Sequence, residues 1–189
     1  MRYLYMVIAA LAASAVISCK QNNNTYVEVS GYTQGVDFSV KFNTKALKIT
    51  PEKAVHCIDS ILTCIDTTLS GYNPGSMLSR YNRGEKIVPN WLLKDIFSRA
   101  KEAYDISEHT VDVTAAPLFD IWGFGFTTKP DVLPSEQELE ATKKVSGMAN
   151  FSGDLSQAAP GQKLNFNSIA QGYSCDLIAG FLYSIGATE

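Results

Sequence analysis

The chain has 189 residues, of which 46% are hydrophobic and 19% are charged, and its net charge is −3. This balance supports a packed core and excludes a disordered or collagen-like chain. Sixteen Lys and Arg against nineteen Asp and Glu leave no broad cationic surface, so no nucleic-acid partner is expected. Beyond the N-terminus there is no apolar run of about 20 residues, which excludes a protein with several membrane spans.

The first residues have the pattern of a secretion signal. Arg2 precedes an apolar run over residues 6–17, which is too short for a membrane span. Residues 16–19, Val-Ile-Ser-Cys, resemble the bacterial lipobox, in which cleavage occurs just before a lipidated Cys. We therefore expect a signal peptide over residues 1–18, a lipid on Cys19 and a polar tether over residues 19–25. An ordinary signal peptide, or an anchor helix with an incidental Cys19, is the alternative.

The next part of the chain predicts a hairpin followed by a helix. Residues 26–29 and 36–42 alternate between apolar and polar side chains, as half-buried strands do, and two glycines lie between these runs. Pro51 follows Thr50, which is a favoured helix cap, and apolar residues then recur at spacings of three and four as far as Leu69. One amphipathic helix is predicted from this stripe.

The rest of the chain predicts further helices and one more strand. One helix begins at Trp91, and another opens at Ser135 with the pattern of a capping box. Residues 162–167 predict a short strand, and Ser168 is predicted to cap a helix that ends near Gly186. The irregular alternation of strands and helices indicates an α+β or mixed α/β class.

Three stretches are candidates for chemistry. Residues 165–173 place a strand end at a helix N-terminus, where free N–H groups favour an anion, although a plain strand–helix turn is the alternative. Asp112 lies between β-branched residues, where a carboxylate needs hydrogen bonds or a ligand. Residues 122–126, Trp-Gly-Phe-Gly-Phe, offer flat faces to a ring system or form a loop pinned to the core by Trp122. The glycine patterns of α/β-hydrolases, P-loops and Rossmann folds are absent from the sequence.

Five motifs occur in a fixed order along the chain. They are Thr-Gln-Gly at residues 33–35, Leu-Ser-Gly-Tyr-Asn-Pro-Gly-Ser at 69–76, Val-Asp-Val-Thr at 111–114, Trp-Gly-Phe-Gly at 122–125 and Ile-Ala-Gln-Gly-Tyr at 169–173. Their order and spacing resemble those of the ApbE-like flavin transferases, the FAD:protein FMN transferases. The resemblance runs from residue 31 to residue 189, so residues 26–189 are interpreted as the N-terminal portion of such a domain.

This resemblance implies a fold, an activity and a location. The fold is α+β, with a mixed, mainly antiparallel sheet and packed helices. The activity splits the pyrophosphate of FAD with the help of magnesium and attaches FMN through a phosphoester to a Thr or Ser of an acceptor protein. Acceptors in that family include subunits of redox complexes. Lipoproteins are common in it, which implies a bacterial cell envelope protein anchored by lipid to a membrane and facing the periplasm.

The resemblance also implies site residues. Those that match FAD-contacting positions are Gln34, Tyr72, Thr110, Val111, Asp112, Asn165 and Gln171, and Ser168 matches a residue whose main-chain oxygen binds magnesium. Asn165 replaces a usual Asp, Gln171 replaces a frequent Lys or Glu, and His109 stands where Gly is common. At least one carboxylate of the family site is therefore absent here.

The resemblance further implies that the C-terminal half of the family domain is missing from this chain. The family continues beyond the position of Glu189 with additional metal-binding motifs, and none of these motifs occurs in the sequence. We therefore expect the chain alone not to transfer FMN. A non-catalytic flavin-binding lipoprotein, or an inactive fragment, is the alternative to an enzyme.

Overall fold

The computed structural model of the protein describes residues 25–126 and 132–188. These residues form one antiparallel β-hairpin and six α-helices, as expected for an α+β fold. The predicted signal peptide over residues 1–18 and the predicted lipidation site at Cys19 lie outside the described residues. Within the described part, no helix has the length and apolar character needed to cross a membrane.

The hairpin joins β1 (Tyr26–Thr33) to β2 (Val36–Asn43), which pair along their whole length. Gln34 and Gly35 form the two-residue turn, with φ of 52° and 80°. Positive φ at both central residues is what a type I′ turn requires, and that turn matches the twist of paired strands. The predicted hairpin is confirmed.

Helix α1 (Pro51–Leu69) begins as the sequence predicts. The hydroxyl of Thr50 accepts a hydrogen bond from the backbone N–H of Lys53 at 3.3 Å, and Pro51 occupies the first turn. Its buried apolar residues are Ala54, Ile58, Leu62, Ile65 and Leu69. Each fully buried Ile or Leu contributes about 1.5–3 kcal/mol to folding, so this stripe holds α1 firmly against its neighbours.

Five shorter helices complete the described structure. They are α2 (Met77–Asn82), α3 (Trp91–Ile106), α4 (Ala116–Ile121), α5 (Glu136–Lys143) and α6 (Ala170–Ser184). Ser76, Asn90 and Ser135 cap α2, α3 and α5, because each side chain accepts a hydrogen bond from the N–H three residues later. The helices predicted at Trp91 and Ser135 are confirmed.

Two hydrophobic cores meet along α1. One includes Tyr81 and Phe166 and lies among α1, α2, α3 and α6, and the other includes Phe42 and lies between the hairpin, α1 and α6. A polar contact adds to the first core, since the hydroxyl of Tyr173 on α6 donates to Asp95 Oδ2 on α3 at 2.7 Å. Burial and this carboxylate raise the pKa of Tyr173. The start of α6 is thereby fixed to α3.

The strand predicted over residues 162–167 is wrong. In the described part of the chain, β1 and β2 form the only sheet. The side chain of Asn82 bonds both the N–H and the C=O of Leu164, at 2.9 and 2.8 Å, and Asn165 N donates to Val113 O at 2.8 Å. A side-chain clamp and one backbone bond therefore take the place of a strand ladder.

The helix cap predicted at Ser168 is also wrong. Helix α6 begins at Ala170, and the preceding Ile169 makes no side-chain cap bond. The carbonyl of Phe166 instead accepts from both Ile169 N and Ala170 N, at 2.9 and 2.8 Å. A backbone turn at residues 167–169 thus starts the helix, and the hydroxyl of Ser168 takes no part in it.

Candidate functional site

A pocket of about 290 Å³ lies where the hairpin turn, the end of α1 and the start of α6 meet. Its walls are formed by Gln34, Gly35, Ile65, Asp66, Leu69, Ser70, Gly71, Tyr72, Asn167, Ala170 and Gln171. Three residues predicted to contact FAD, namely Gln34, Tyr72 and Gln171, line this one cavity. The fold thus brings together residues that are far apart in the sequence.

The Gln34 side chain is held by α6. Its Nε2 donates to Ser174 Oγ at 2.8 Å, and that hydroxyl donates in turn to Ala170 O at 2.7 Å. Gln34 also adopts a φ of 52°, which is uncommon for a residue other than glycine. Strain of this kind persists only where the surroundings enforce it, and here the tight turn and the bond to Ser174 do so.

The loop after α1 forms the opposite wall of the pocket. Asn73 Nδ2 donates to Asp66 Oδ2 at 3.0 Å, and Ser79 Oγ donates to Ser70 O at 3.1 Å, so both ends of the loop are fixed. Tyr72 remains 66% exposed. Its ring meets that of Phe126 edge to face, with centroids 5.1 Å apart, which is a favourable geometry for an aromatic pair.

Asp112 organises a second group of predicted residues. Its Oδ1 accepts from both the N–H and the hydroxyl of Thr114, and its Oδ2 accepts from Met148 N at 2.9 Å. The carboxylate thereby caps the 3₁₀ helix Val113–Ala115 and ties it to a distant segment. Next to it, Val111 is half-buried and Thr110 is exposed. The need for hydrogen bonds that the sequence predicts at Asp112 is met within the protein.

Asn165 connects this second group to the pocket. Its side chain is buried, and its Oδ1 accepts from the backbone N–H of Asn167 at 2.9 Å. Asn167 lines the pocket, while Asn165 N bonds to Val113 O beside Asp112. The predicted FAD-contacting residues of the second group therefore lie next to one another, but none of them lines the pocket. They are Thr110, Val111, Asp112 and Asn165.

Ser168 lies at the surface beside the pocket wall. It is exposed, and its role as a magnesium ligand stays a prediction. The described residues include no group of three or more His, Cys, Asp or Glu side chains placed to hold a metal. Since Mg²⁺ demands near-octahedral oxygen ligation, the described carboxylates alone do not form a magnesium site.

Three polar residues that line the pocket, Asp66, Ser70 and Asn167, are not among the residues predicted to contact FAD. Asp66 lies in the last turn of α1, where a negative charge opposes the helix dipole. This unfavourable placement is visible in the sequence. In the structure, the hydrogen bond from the Asn73 amide to Asp66 offsets it. Asn167 carries no comparable signal, because its place in the wall depends on how the preceding segment packs.

The aromatic–glycine run differs from the loop that the sequence predicts. Trp122 is 44% exposed and Phe124 is 74% exposed, so the interpretation of Trp122 as the pin to the core is wrong. Phe126 serves that purpose, since it packs against the first core and contacts Tyr72. The ring of Phe126 packs directly over Gly71, because a Cβ added to Gly71 would lie 2.3 Å from that ring.

A family model described as the ApbE family matches residues 24–189. The chain belongs to the ApbE family. The resemblance inferred from the five motifs is thereby confirmed. Curated relatives include the FAD:protein FMN transferase of Vibrio cholerae serotype O1, which is 29% identical over 186 residues, covering 95% of this chain and 55% of the relative. That of Haemophilus influenzae is 27% identical over 199 residues, covering 99% of this chain and 58% of the relative.

Solved structures of ApbE proteins share the fold. The flavin transferase ApbE from Vibrio cholerae superimposes with a TM-score of 0.74 at 27% identity, covering 86% of this chain and 54% of that structure. The apo form of the Pseudomonas stutzeri flavinyl transferase ApbE gives a TM-score of 0.75 at 26% identity, with the same coverage of 86% and 54%. The ApbE-like α+β fold is therefore confirmed. The chain spans about half the length of the curated relatives it matches.

Proposed function

We propose that the protein to which this chain belongs transfers FMN from FAD to a Thr or Ser of an acceptor protein. Membership of the ApbE family and the names of the relatives support this proposal. The observation that carries it is the shared pocket, in which Gln34, Tyr72 and Gln171 come together from three distant stretches. These are three of the residues that the family resemblance assigns to FAD.

The chemistry of the pocket suits one ring system of FAD. Its volume of about 290 Å³ lies at the lower end of ligand pockets, which span roughly 300–1,000 Å³, so it holds part of FAD rather than all of it. Ile65 and Leu69 supply apolar surface and Tyr72 an exposed aromatic ring. The amides of Gln34 and Gln171 both donate and accept hydrogen bonds, as the nitrogens and oxygens of an isoalloxazine ring require.

The second group of residues is proposed to contact the remainder of FAD. A carboxylate offers about four lone-pair sites, and Asp112 already uses three of them within the protein. Direct contact of FAD with Asp112 is therefore limited to one lone-pair site of the carboxylate. The side chain of Thr110 is exposed and can contact the ligand. Val111 and Asn165 would shape the wall around it.

In the proposed reaction, the hydroxyl oxygen of the acceptor bonds to the phosphorus of the FMN half. The bond from that phosphorus to the bridging oxygen breaks, AMP leaves with that oxygen, and the proton of the acceptor hydroxyl is released to water. A bound magnesium ion would neutralise the charge that develops on the phosphate oxygens. We propose the main-chain oxygen of Ser168 as one of its ligands. Because the described residues do not complete such a site, we derive no step through the ion.

The proposed location is the bacterial cell envelope, facing the periplasm. Cys19 would carry the lipid, and a stable anchor needs more than one acyl chain because a single chain binds membranes only marginally. A membrane redox complex on the same side would then supply the acceptor subunit. To test the anchor, Cys19→Ser is expressed in a bacterium and fractionated beside the parent. A variant that stays in the membrane pellet as fully as the parent contradicts the lipid anchor.

The activity is tested on the full-length protein with FAD, Mg²⁺ and an acceptor domain that carries a flavinylation Thr. We expect flavin fluorescence on the acceptor band in a denaturing gel, and none when that Thr is replaced by Ala. FAD binding is measured in parallel by the change in flavin fluorescence. Binding without transfer would support the non-catalytic flavin-binding alternative, and the absence of both would contradict the proposed function.

A further inference from the structure

The ion pair between Asp120 and Lys163 is the most shielded one among the described residues. Lys163 Nζ lies 2.5 Å from Asp120 Oδ2, and the two side chains are 36% and 18% exposed. In every other ion pair of the described part, both side chains are at least 42% exposed. Solvent and salt screen a partly buried ion pair less than an exposed one. The Asp120–Lys163 pair is therefore the ion pair able to hold the two segments that it joins in a fixed relative position.

The loop over residues 122–126 closes directly over this pair. Gly123 N donates to Asp120 O at 3.1 Å, and Phe124 N donates to Phe119 O at 2.8 Å, so the loop folds back on the end of α4. A Cβ added to Gly125 would lie 1.8 Å from Asp120 Oδ1. Only glycine allows the backbone to approach so closely. The position of the Asp120 carboxylate therefore sets the path of the loop.

The end of this loop forms part of the pocket's surroundings. The ring of Phe126 covers Gly71, where an added Cβ would lie 2.3 Å from the ring, and it meets the Tyr72 ring at 85°. Gly71 and Tyr72 line the pocket itself. A shift of Phe126 would therefore remove the support on which the exposed Tyr72 ring rests.

Lys163, the other partner of the ion pair, belongs to the segment that reaches the pocket wall opposite Tyr72. Lys163 directly precedes Leu164, whose backbone is clamped by Asn82, and Asn165, whose N–H bonds to Val113 O. The same segment continues to Asn167 in the pocket wall. The Asp120–Lys163 ion pair thus joins the segment over residues 163–167, which reaches one wall of the pocket, to the loop over residues 122–126, which supports the opposite wall.

We propose that Asp120 and Lys163 are positioning residues that hold Phe126 against Tyr72 and so shape the pocket for flavin. This inference rests on the proposed function, because it assigns flavin to that pocket. Neither residue lines the pocket. Their effect passes through the loop, so loss of the pair should weaken FAD binding while the fold is retained.

The test uses the 189-residue chain with Trp122 as a reporter of the loop. The chain has two Trp residues, so Trp91→Phe leaves Trp122 as the single indole. In that background we expect Lys163→Met to make Trp122 more accessible to acrylamide and to raise the Kd for FAD by about fivefold or more, since small misplacements in a site are costly. Lys163→Arg should restore both values. Lys143→Met, which breaks the exposed Lys143–Glu140 pair, is the matched control and should change neither.

Each outcome decides between positioning and a purely structural role. Unchanged Trp122 quenching and FAD affinity in a folded Lys163→Met protein would overturn the proposal. If Lys163→Met does not fold, Asp120→Asn keeps the shape of the side chain and removes the charge. Unfolding of both variants would show a structural role and also overturn it. Should the parent protein fail to bind FAD, the proposed function fails, and Trp122 quenching alone then decides whether the pair holds the loop.

Discussion

Gln34 on the hairpin turn and Ser174 on α6 are joined by a hydrogen bond of 2.8 Å across 140 residues of sequence. Ser174 is buried, and its hydroxyl donates a hydrogen bond to Ala170 O within the helix. The pair closes one side of the pocket, because Gln34 and Ala170 both line it. An amide that is oriented in this way presents a defined donor and acceptor to a ligand.

Replacing Ser174 by Ala should therefore affect both stability and binding. We expect the free energy of unfolding to fall by about 1 kcal/mol, which is the typical net worth of a hydrogen bond. The affinity for FAD should fall several-fold, since Gln34 loses its fixed orientation. Urea unfolding and a flavin titration measure the two effects. Ser184→Ala is the control, because its hydroxyl also bonds a carbonyl of α6 but has no partner on the hairpin. Equal effects of the two changes would contradict the role of the Gln34–Ser174 pair.

Tyr72 is predicted to matter for flavin more than for folding. Its ring is 66% exposed and meets the Phe126 ring in an edge-to-face arrangement, so Tyr72→Ala should lower the free energy of unfolding by about 1 kcal/mol or less. The Kd for FAD should rise about tenfold, as expected when an aromatic face is lost. Tyr72→Phe should retain the affinity, and Tyr183→Ala, which removes a ring that is 67% exposed on α6, should leave it unchanged. Equal flavin affinity in Tyr72→Ala and the parent would remove Tyr72 from the site.

The sequence predicted those elements whose causes are local. Thr50 and Pro51 are adjacent to the start of α1, and Gly35 permits the tight turn of the hairpin. The segment over residues 162–167 has no such local cause. Apolar residues at alternate positions, Leu164 and Phe166, are typical of a strand, but this pattern does not specify which group will bond the backbone. The partner is the side chain of Asn82, which lies 82 residues away from Leu164.

The candidate site was predictable only where a family motif marked it. Gln34, Tyr72 and Gln171 were assigned from motif order, and the structure places them around one pocket. Asp66 lies outside those motifs, and it becomes part of the wall because the end of α1 packs beside the hairpin turn. The Asp120–Lys163 pair could not be predicted from the sequence either, because its two residues are 43 positions apart and meet only through the packing of the fold.

Asp112 is expected to be essential to the local fold. In Asp112→Asn, the new amide cannot accept from both Thr114 and Met148 N, so one buried donor loses its partner. The expected loss in the free energy of unfolding is about 1–3 kcal/mol. Asp154→Asn is the matched control, because the carboxylate of exposed Asp154 accepts a backbone N–H two residues later, as that of Asp112 does, but makes no hydrogen bond to a distant segment. Should Asp112→Asn unfold at the same urea concentration as the parent and yet lose FAD affinity, contact with the ligand rather than support of the fold would be its role.

Tyr81 should make the protein less stable at high pH. Its ring is fully buried and its hydroxyl donates to Asp154 O at 3.0 Å. Burial, together with the Asp154 carboxylate, raises the pKa of Tyr81 from 10.0 to about 12. Below pH 10 both the folded and the unfolded state hold the proton, so the stability from this group is fully present. As the pH rises, the unfolded state releases the proton first, and stability is lost progressively until the folded pKa is reached.

The expected loss from Tyr81 is about 3 kcal/mol between pH 10 and pH 12, since one pK unit corresponds to about 1.4 kcal/mol. The measurement is urea unfolding of the parent and of Tyr81→Phe from pH 8 upward. The difference between their free energies of unfolding removes the contribution of ionisable groups that both proteins contain. At pH 8, Tyr81→Phe should be less stable by about 1 kcal/mol, because it lacks the bond to Asp154 O. Above pH 10 its stability should fall less steeply than that of the parent. The raised pKa of Tyr173 acts in the same direction, so part of the fall should persist in Tyr81→Phe and disappear only when Tyr173→Phe is added. Parallel curves for the parent and Tyr81→Phe would show that the buried phenol of Tyr81 does not set this dependence.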